Sequence, residues 1–201
     1  MNSLEAFFYV HEGLARQGPG SKETSQALYE AAATECDIRT AVDLGAGPGA
    51  SAVFLARQGV NVTAVDKNVD FLSQLAARAA KVGVSQRIRV LNESMAAVDA
   101  IGGPFDLLWS EGTAYILGLS RALSLWSRLM KPESCLVLTD AFWLTNERSA
   151  GAVDFWSTEP NMLHVDDAPA LFSRLGFAVT HQPLTSSSNR HLTGWMSTTT
   201  R

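Results

Sequence analysis

Three alternating glycines between an apolar strand and a helix constrain this chain's fold more than any other feature. The run Val42-Asp43-Leu44-Gly45-Ala46-Gly47-Pro48-Gly49-Ala50-Ser51 joins a strand, Thr40 to Leu44, to a helix from about Ala50 to Gln58. Such a turn brings backbone N–H groups and the positive pole of a helix close to a ligand. A second apolar strand, Val60 to Val65, ends in Asp66, about 20 residues beyond Gly45, where a carboxylate accepts both hydroxyl protons of a ribose. Together these features predict a nucleoside-bearing cofactor across the carboxyl ends of two adjacent parallel strands.

The nucleoside is less constrained. Gly45 to Ala50 also satisfies G-x-G-x-x-A, the loose dinucleotide fingerprint, which keeps an NAD-dependent oxidoreductase as an alternative. Two details argue against NAD. Asp43 stands inside the strand end, where dinucleotide folds usually carry an apolar residue, and Pro48 with Gly49 leaves a broad loop suited to an amino-acid tail. The arrangement D-x-G-x-G-x-G resembles the first motif of class I S-adenosylmethionine (SAM)-dependent methyltransferases. The resemblance implies SAM as cofactor, with Asp43 orienting the loop and the methionine amine and Asp66 on the ribose.

Bulk properties set wider limits. With 201 residues the chain fits one domain, 1–201, read as an N-terminal helical segment (1–33) and a Rossmann-like core (34–201). A composition of 46% hydrophobic and 18% charged residues is that of a soluble globular protein. A net charge of −4 without any basic run argues against a nucleic-acid surface, which needs clustered Lys and Arg. The longest apolar stretches have strand length, so no membrane span is expected, and Phe7-Phe8-Tyr9-Val10 is too short for a signal peptide. Cys36 and Cys135 are far apart, with no C-x-x-C and no histidine at metal spacing. They read as two reduced thiols in a cytoplasmic protein without a metal site.

Strand and helix patterns alternate along the chain, which predicts a doubly wound α/β fold with a mostly parallel sheet of six to seven strands. A helix is expected over Ser21 to Ala33. Asn68 caps another, with Phe71, Leu72, Leu75, Ala76 and Ala79 on one face and Gly83 as its stop. Further strands are Ile88 to Leu91, Phe105 to Trp109, Cys135 to Thr139 and a sixth starting at Phe177. One helix is expected from Tyr115 to Met130, closed by Pro132, and another capped by Asp167. The order 3-2-1-4-5-(7)-6 leaves Leu192 to Thr199 as an antiparallel seventh strand.

The fourth strand carries the second signal, Phe105-Asp106-Leu107-Leu108-Trp109-Ser110-Glu111-Gly112-Thr113-Ala114-Tyr115. Residues just past a parallel strand line the ligand crevice, so Trp109, Ser110, Glu111 and Tyr115 are expected around the transferred methyl group. The run resembles a small bacterial UbiE-like methyltransferase subfamily whose fourth strand reads D-L-I-W-S-E-G-A-x-Y. The resemblance continues in Arg16-Gln17-Gly18-Pro19-Gly20-Ser21, in Leu125 to Pro132, in Phe142 to Arg148 and in Asp154-Phe155-Trp156. It implies a cofactor-binding set of Gly18, Asp43, Gly45, Ala46, Gly47, Asp66, Lys67, Ser94, Met95 and Ser110, with Ser94 and Met95 beside the adenine.

Glu111 and Tyr115 are the candidate catalytic residues. Glu111 reads either as a general base or as an acid that holds the cofactor or the loop, and Tyr115 shapes the acceptor pocket. Trp109, Trp143 and Trp156 are candidates for an aromatic wall around the sulfonium, although each taken singly reads as packing. The activity implied is methyl transfer from SAM to a small molecule, with a non-catalytic SAM-binding partner subunit as a further alternative. Relatives extend further past the sixth strand, so an open pocket covered by a partner, a homodimer among the candidates, is also expected.

Overall fold

A computed structural model describes residues 16, 21–157, 162–181 and 192–198. Gly18 of the Gly18-Pro19-Gly20 turn, His11, His191 and the polar stretch 185–189 lie outside the described residues. The elements are α1 (Lys22–Glu35), β1 (Thr40–Leu44), α2 (Ala50–Arg57), β2 (Asn61–Asp66), α3 (Val69–Lys81), β3 (Ile88–Asn92), α4 (Val98–Ile101) and β4 (Phe105–Glu111). There follow α5 (Leu119–Trp126), β5 (Met130–Ala141), α6 (Ala150–Phe155), α7 (Ala168–Arg174), β6 (Ala178–His181) and β7 (Leu192–Thr198).

The strands form one sheet in the order β3-β2-β1-β4-β5-β7-β6. The sheet has seven strands; five of them, β3 through β5, pair in parallel, and β7 runs antiparallel to both β5 and β6. Side chains alternate between two faces, and each face builds a core. On one, Val42, Leu108 and Leu138 pack with Leu123 and Trp126 of α5 and Phe172 of α7. On the other, Ala41, Trp109 and Val137 pack with Leu28 and Ala32 of α1, Leu55 of α2 and Leu75 of α3. Among the described residues no helix is long and apolar enough to cross a membrane.

Local chemistry explains several boundaries. Ser21 caps α1 by accepting the Thr24 N–H, and Asn68 caps α3 by accepting from Asp70 and Phe71. Elsewhere the expectation changes. The helix expected over Tyr115 to Met130 is broken into a 3-10 turn (Ala114–Leu117), α5 and a second 3-10 turn (Ser127–Leu129). Gly118 causes the first break: its φ of 77° is not helical. β5 begins before Pro132, not after it. Its pairing jumps from Phe105↔Met130 to Leu107↔Cys135, so Pro132 sits in an irregularity that needs no ladder hydrogen bond from it. Asp167 makes no side-chain cap, since it closes a 3-10 turn (Val165–Asp167) that His164 caps through its Nδ1.

The largest correction concerns the cysteines. Cys36, the residue just past α1, is disulfide-bonded to Cys135 of β5, with Cα atoms 6.3 Å apart across a sequence separation of 99. The two thiols are therefore not the free, reduced pair expected, and they do not point to a cytoplasmic setting.

Candidate cofactor site

Strands β1, β2 and β4 end at one edge of the sheet, where chain order reverses between β1 and β4. In open parallel sheets this edge forms a crevice. The glycine turn lies across it and is tied to β2. Gly45 and Ala46 N–H both donate to the Val65 carbonyl, at 2.9 and 3.0 Å, and Gly47 N–H donates to Asp66 Oδ2 at 2.8 Å. Asp66 Oδ1 accepts the Asn68 N–H at 2.8 Å. Each carboxylate oxygen still has a lone pair, so Asp66 can hold the turn and accept ribose hydroxyls together.

The glycines answer to different demands. A Cβ on Gly45 would come within 2.5 Å of Thr113 and one on Gly49 within 2.4 Å of Leu75, so packing alone forbids a side chain at both. Gly47, at φ 52°, is the one whose N–H meets Asp66.

Each residue of Trp109-Ser110-Glu111-Gly112 has its own task. Trp109 is fully buried, its ring centroid 6.4 Å from that of Phe54. It is therefore core on the α2 face and not part of a wall around a ligand, contrary to expectation. Ser110, also buried, shares a 2.8 Å hydrogen bond with the Thr113 hydroxyl, which itself donates to the Leu44 carbonyl at 2.8 Å. That chain links the turn after β4 to the end of β1. Gly112 N–H donates to the Thr139 carbonyl at 2.8 Å.

Glu111 is the hub. Its carboxylate pairs with the Arg16 guanidinium and accepts from Ser25 Oγ at 2.9 Å and Ser51 Oγ at 2.8 Å. Arg16 also donates to Ser25 Oγ at 2.7 Å. One side chain thus gathers the N-terminal segment, α1, and the first turn of α2. Sequence reasoning assigned no role to Ser25 or Ser51 and placed Arg16 only within a turn motif. The visible signal was Ser25 on the buried stripe of a helix and Ser51 one residue into the helix after the glycines.

Asp43 lies beneath them, only 2% exposed. Burial, then the charges of Glu111 and Asp66, push its carboxyl up to about 8, against the opposing pull of Arg16 and the Ala52 N–H. Its Oδ2 has no hydrogen-bond partner among the described residues. Between pH 3.8 and about 8 the unfolded chain has lost this proton and the folded chain keeps it. Stability from this group therefore falls as pH rises across that window. Urea midpoints of wild type should fall with rising pH more steeply than those of Asp43→Asn. Parallel profiles would contradict the assignment.

The other expected residues are distributed around the edge. Ser94 Oγ accepts the Ala96 N–H at 3.2 Å, and Met95 is half-buried against the α5 side, its carbonyl held by Trp126 Nε1 at 2.9 Å. Lys67 is exposed, with its carbonyl accepting from Asn92 at 3.0 Å. Tyr115 stacks edge-on with Trp156 at 5.9 Å, whereas Trp143 carries Arg148 over its ring at 4.6 Å. Among the described residues no group of His, Cys, Asp and Glu is placed to hold a metal ion.

Three carboxyl groups and one guanidinium therefore converge beside the glycine turn. An orphaned carboxyl oxygen and an excess of acid suit a ligand bearing ammonium and sulfonium charge. They do not suit a pyrophosphate, whose negative charge would meet Asp66 and Glu111 beside the turn.

Residues 41–133 match the methyltransferase domain family. The chain is also similar to a release factor glutamine methyltransferase from Chlorobaculum tepidum, 36% identical over 120 residues that make up 53% of this chain and 41% of the relative. It thus spans about two fifths of that curated relative's length. The structure resembles a SAM-dependent methyltransferase from Geobacter sulfurreducens in complex with S-adenosyl-L-homocysteine (SAH), with a TM-score of 0.80, 16% identity and 98% of both chains covered. It also resembles a geranyl diphosphate C-methyltransferase from Streptomyces coelicolor in complex with Mg2+, geranyl diphosphate and SAH, at TM-score 0.70 and 14% identity, over 88% of this chain and 79% of that one. The fold is that of class I methyltransferases, and the family match runs from β1 to the start of β5, taking in Asp43, the glycine turn, Asp66 and Glu111.

Proposed function

We propose that the protein transfers a methyl group from SAM to a small-molecule acceptor. The observation that carries this reading is the convergence of Asp43, Asp66 and Glu111 at the ends of β1, β2 and β4, beside a glycine turn tied to Asp66. Asp66 takes the ribose hydroxyls. Glu111 faces the cationic methionine end, Asp43 beneath it gives up its proton when that positive charge arrives, and Ser94 and Met95 flank the adenine. When bound, SAM supplies an electrophilic methyl on a sulfonium. The protein's part is mainly to hold donor and acceptor in line.

Glu111 fits an anchoring role better than that of a general base, because three donors already occupy its oxygens. The acceptor side is assigned to Tyr115 and Trp156, which meet just past β4. The Trp109-to-Gly112 run supports membership of the W-S-E-G subfamily, since each of its residues ties the end of β4 to a neighbour.

The test is isothermal titration with SAH and with Asp66→Ala. Affinity should fall by about 1.5–3 kcal/mol in the variant, as for hydrogen bonds to a charged group. Unchanged SAH affinity would remove Asp66 from the ribose.

A further inference from the structure

Ser25, Leu28, Ala32 and Cys36 recur at three- and four-residue spacing along one face of α1 and just past its end. The first three are buried and Cys36 is half-buried. At about 1.5 Å per helical residue, Ser25 and Cys36 stand ~16 Å apart along the axis. On the sheet face below, β5 presents Cys135, Val137 and Thr139, with Thr139 opposite Glu111 in register. Cys135 and Thr139 lie ~13 Å apart at about 3.3 Å per strand residue. The two lengths match to within about 3 Å, so α1 lies along the strands and is pinned at both ends. At the cofactor edge the Ser25 hydroxyl and Arg16 hold Glu111, and at the far end Cys36 is bonded to Cys135.

We infer that the Cys36–Cys135 bridge is a redox clamp on the cofactor site, holding α1 so that Ser25 and Arg16 stay on Glu111, and released by a dithiol reductant. The inference rests on the cofactor reading above. The chemistry balances as thiol–disulfide exchange. A reductant thiolate attacks the sulfur of Cys36, the less buried of the two cysteines, and the Cys135 sulfur leaves as thiolate and takes a proton. The second reductant thiol then displaces Cys36 as a thiol, and the reductant departs as its own disulfide. With the lower pin gone, only the polar contacts at Glu111 and the packing of Leu28 and Ala32 locate α1. The edge nearest the cofactor then loses its fixed geometry.

The experiment compares oxidised protein with protein reduced by dithiothreitol, reading SAH affinity by titration and trypsin cleavage after Arg16 and Lys22. The reduced form should bind SAH roughly fivefold or more weakly, in the usual range of coupling between sites, and should be cut faster at these residues. By reciprocity, saturating SAH should raise the dithiothreitol excess needed for half-reduction by the same factor, an effect a bridge that merely adds stability would not show. Cys36→Ser should behave as the reduced form whatever the redox buffer. If that variant fails to fold, the two redox states of wild type carry the comparison. Equal affinity and equal cleavage in both states would overturn the clamp. Redox-dependent cleavage without SAH binding in either state would support the clamp and refute the cofactor reading.

Discussion

Gly47→Val is expected to abolish detectable SAH binding, a loss of about 100-fold or more, while the sheet remains folded. Gly47 sits at φ 52°, and its N–H reaches Asp66 Oδ2 at 2.8 Å. A β-branched residue is an outlier at that backbone angle, so the turn must rotate and the N–H must leave the carboxylate. Hydrogen bonds to charged groups are worth about 1.5–3 kcal/mol each, and displacing Asp66 disturbs both its hold on the loop and its reach to the ribose. The core on either face of the sheet does not involve this residue. SAH titration paired with circular dichroism checks the result: a native spectrum without binding is predicted. Normal binding, or a chain that no longer folds, would contradict the role given to this glycine.

Substitution of Glu111 should act on the cofactor and the fold more than on the chemical step. Its carboxylate is 8% exposed and its Arg16 partner 19%. Removing one member of a buried pair typically costs about 3–5 kcal/mol, and Glu111→Ala should approach the lower end because Arg16 keeps some solvent. Glu111→Gln retains an acceptor for the serine hydroxyls. It should weaken SAH binding and leave turnover at saturating SAM close to wild type. A general base would give the opposite pattern, with kcat lower by roughly 10²–10⁴ and SAH affinity unchanged. Arg16→Ala combined with Glu111→Gln should cost less than the sum of the two single changes, because both remove one interaction.

What the sequence made legible was local. The glycine turn, the acid at the end of β2, the Asn68 cap and the alternation of strands with helices each depend on a few neighbouring residues, and each stands where the pattern put it. Two kinds of feature escaped. Local breaks inside apolar periodicity were one: Gly118 interrupts a helical stripe whose hydrophobic spacing runs on, and Pro132 is absorbed by an irregular register rather than ending a segment. Long-range pairings were the other. Arg16 meets Glu111 across 95 residues and Cys36 meets Cys135 across 99, and nothing near either partner encodes the other. Trp109 shows why the site was harder to read than the fold. Position past a strand centre placed it near the crevice, but strand alternation turned its ring to the α2 face and into the core.

The central claim is that this crevice takes a methyl donor's nucleoside and not a dinucleotide. Titrating the oxidised full chain with SAH and with NADH under identical conditions tests it most directly. Saturable SAH binding at one site per chain and no heat from NADH are predicted, because the Asp66 and Glu111 carboxylates beside the glycine turn repel a pyrophosphate. Saturable NADH binding with none for SAH would contradict it.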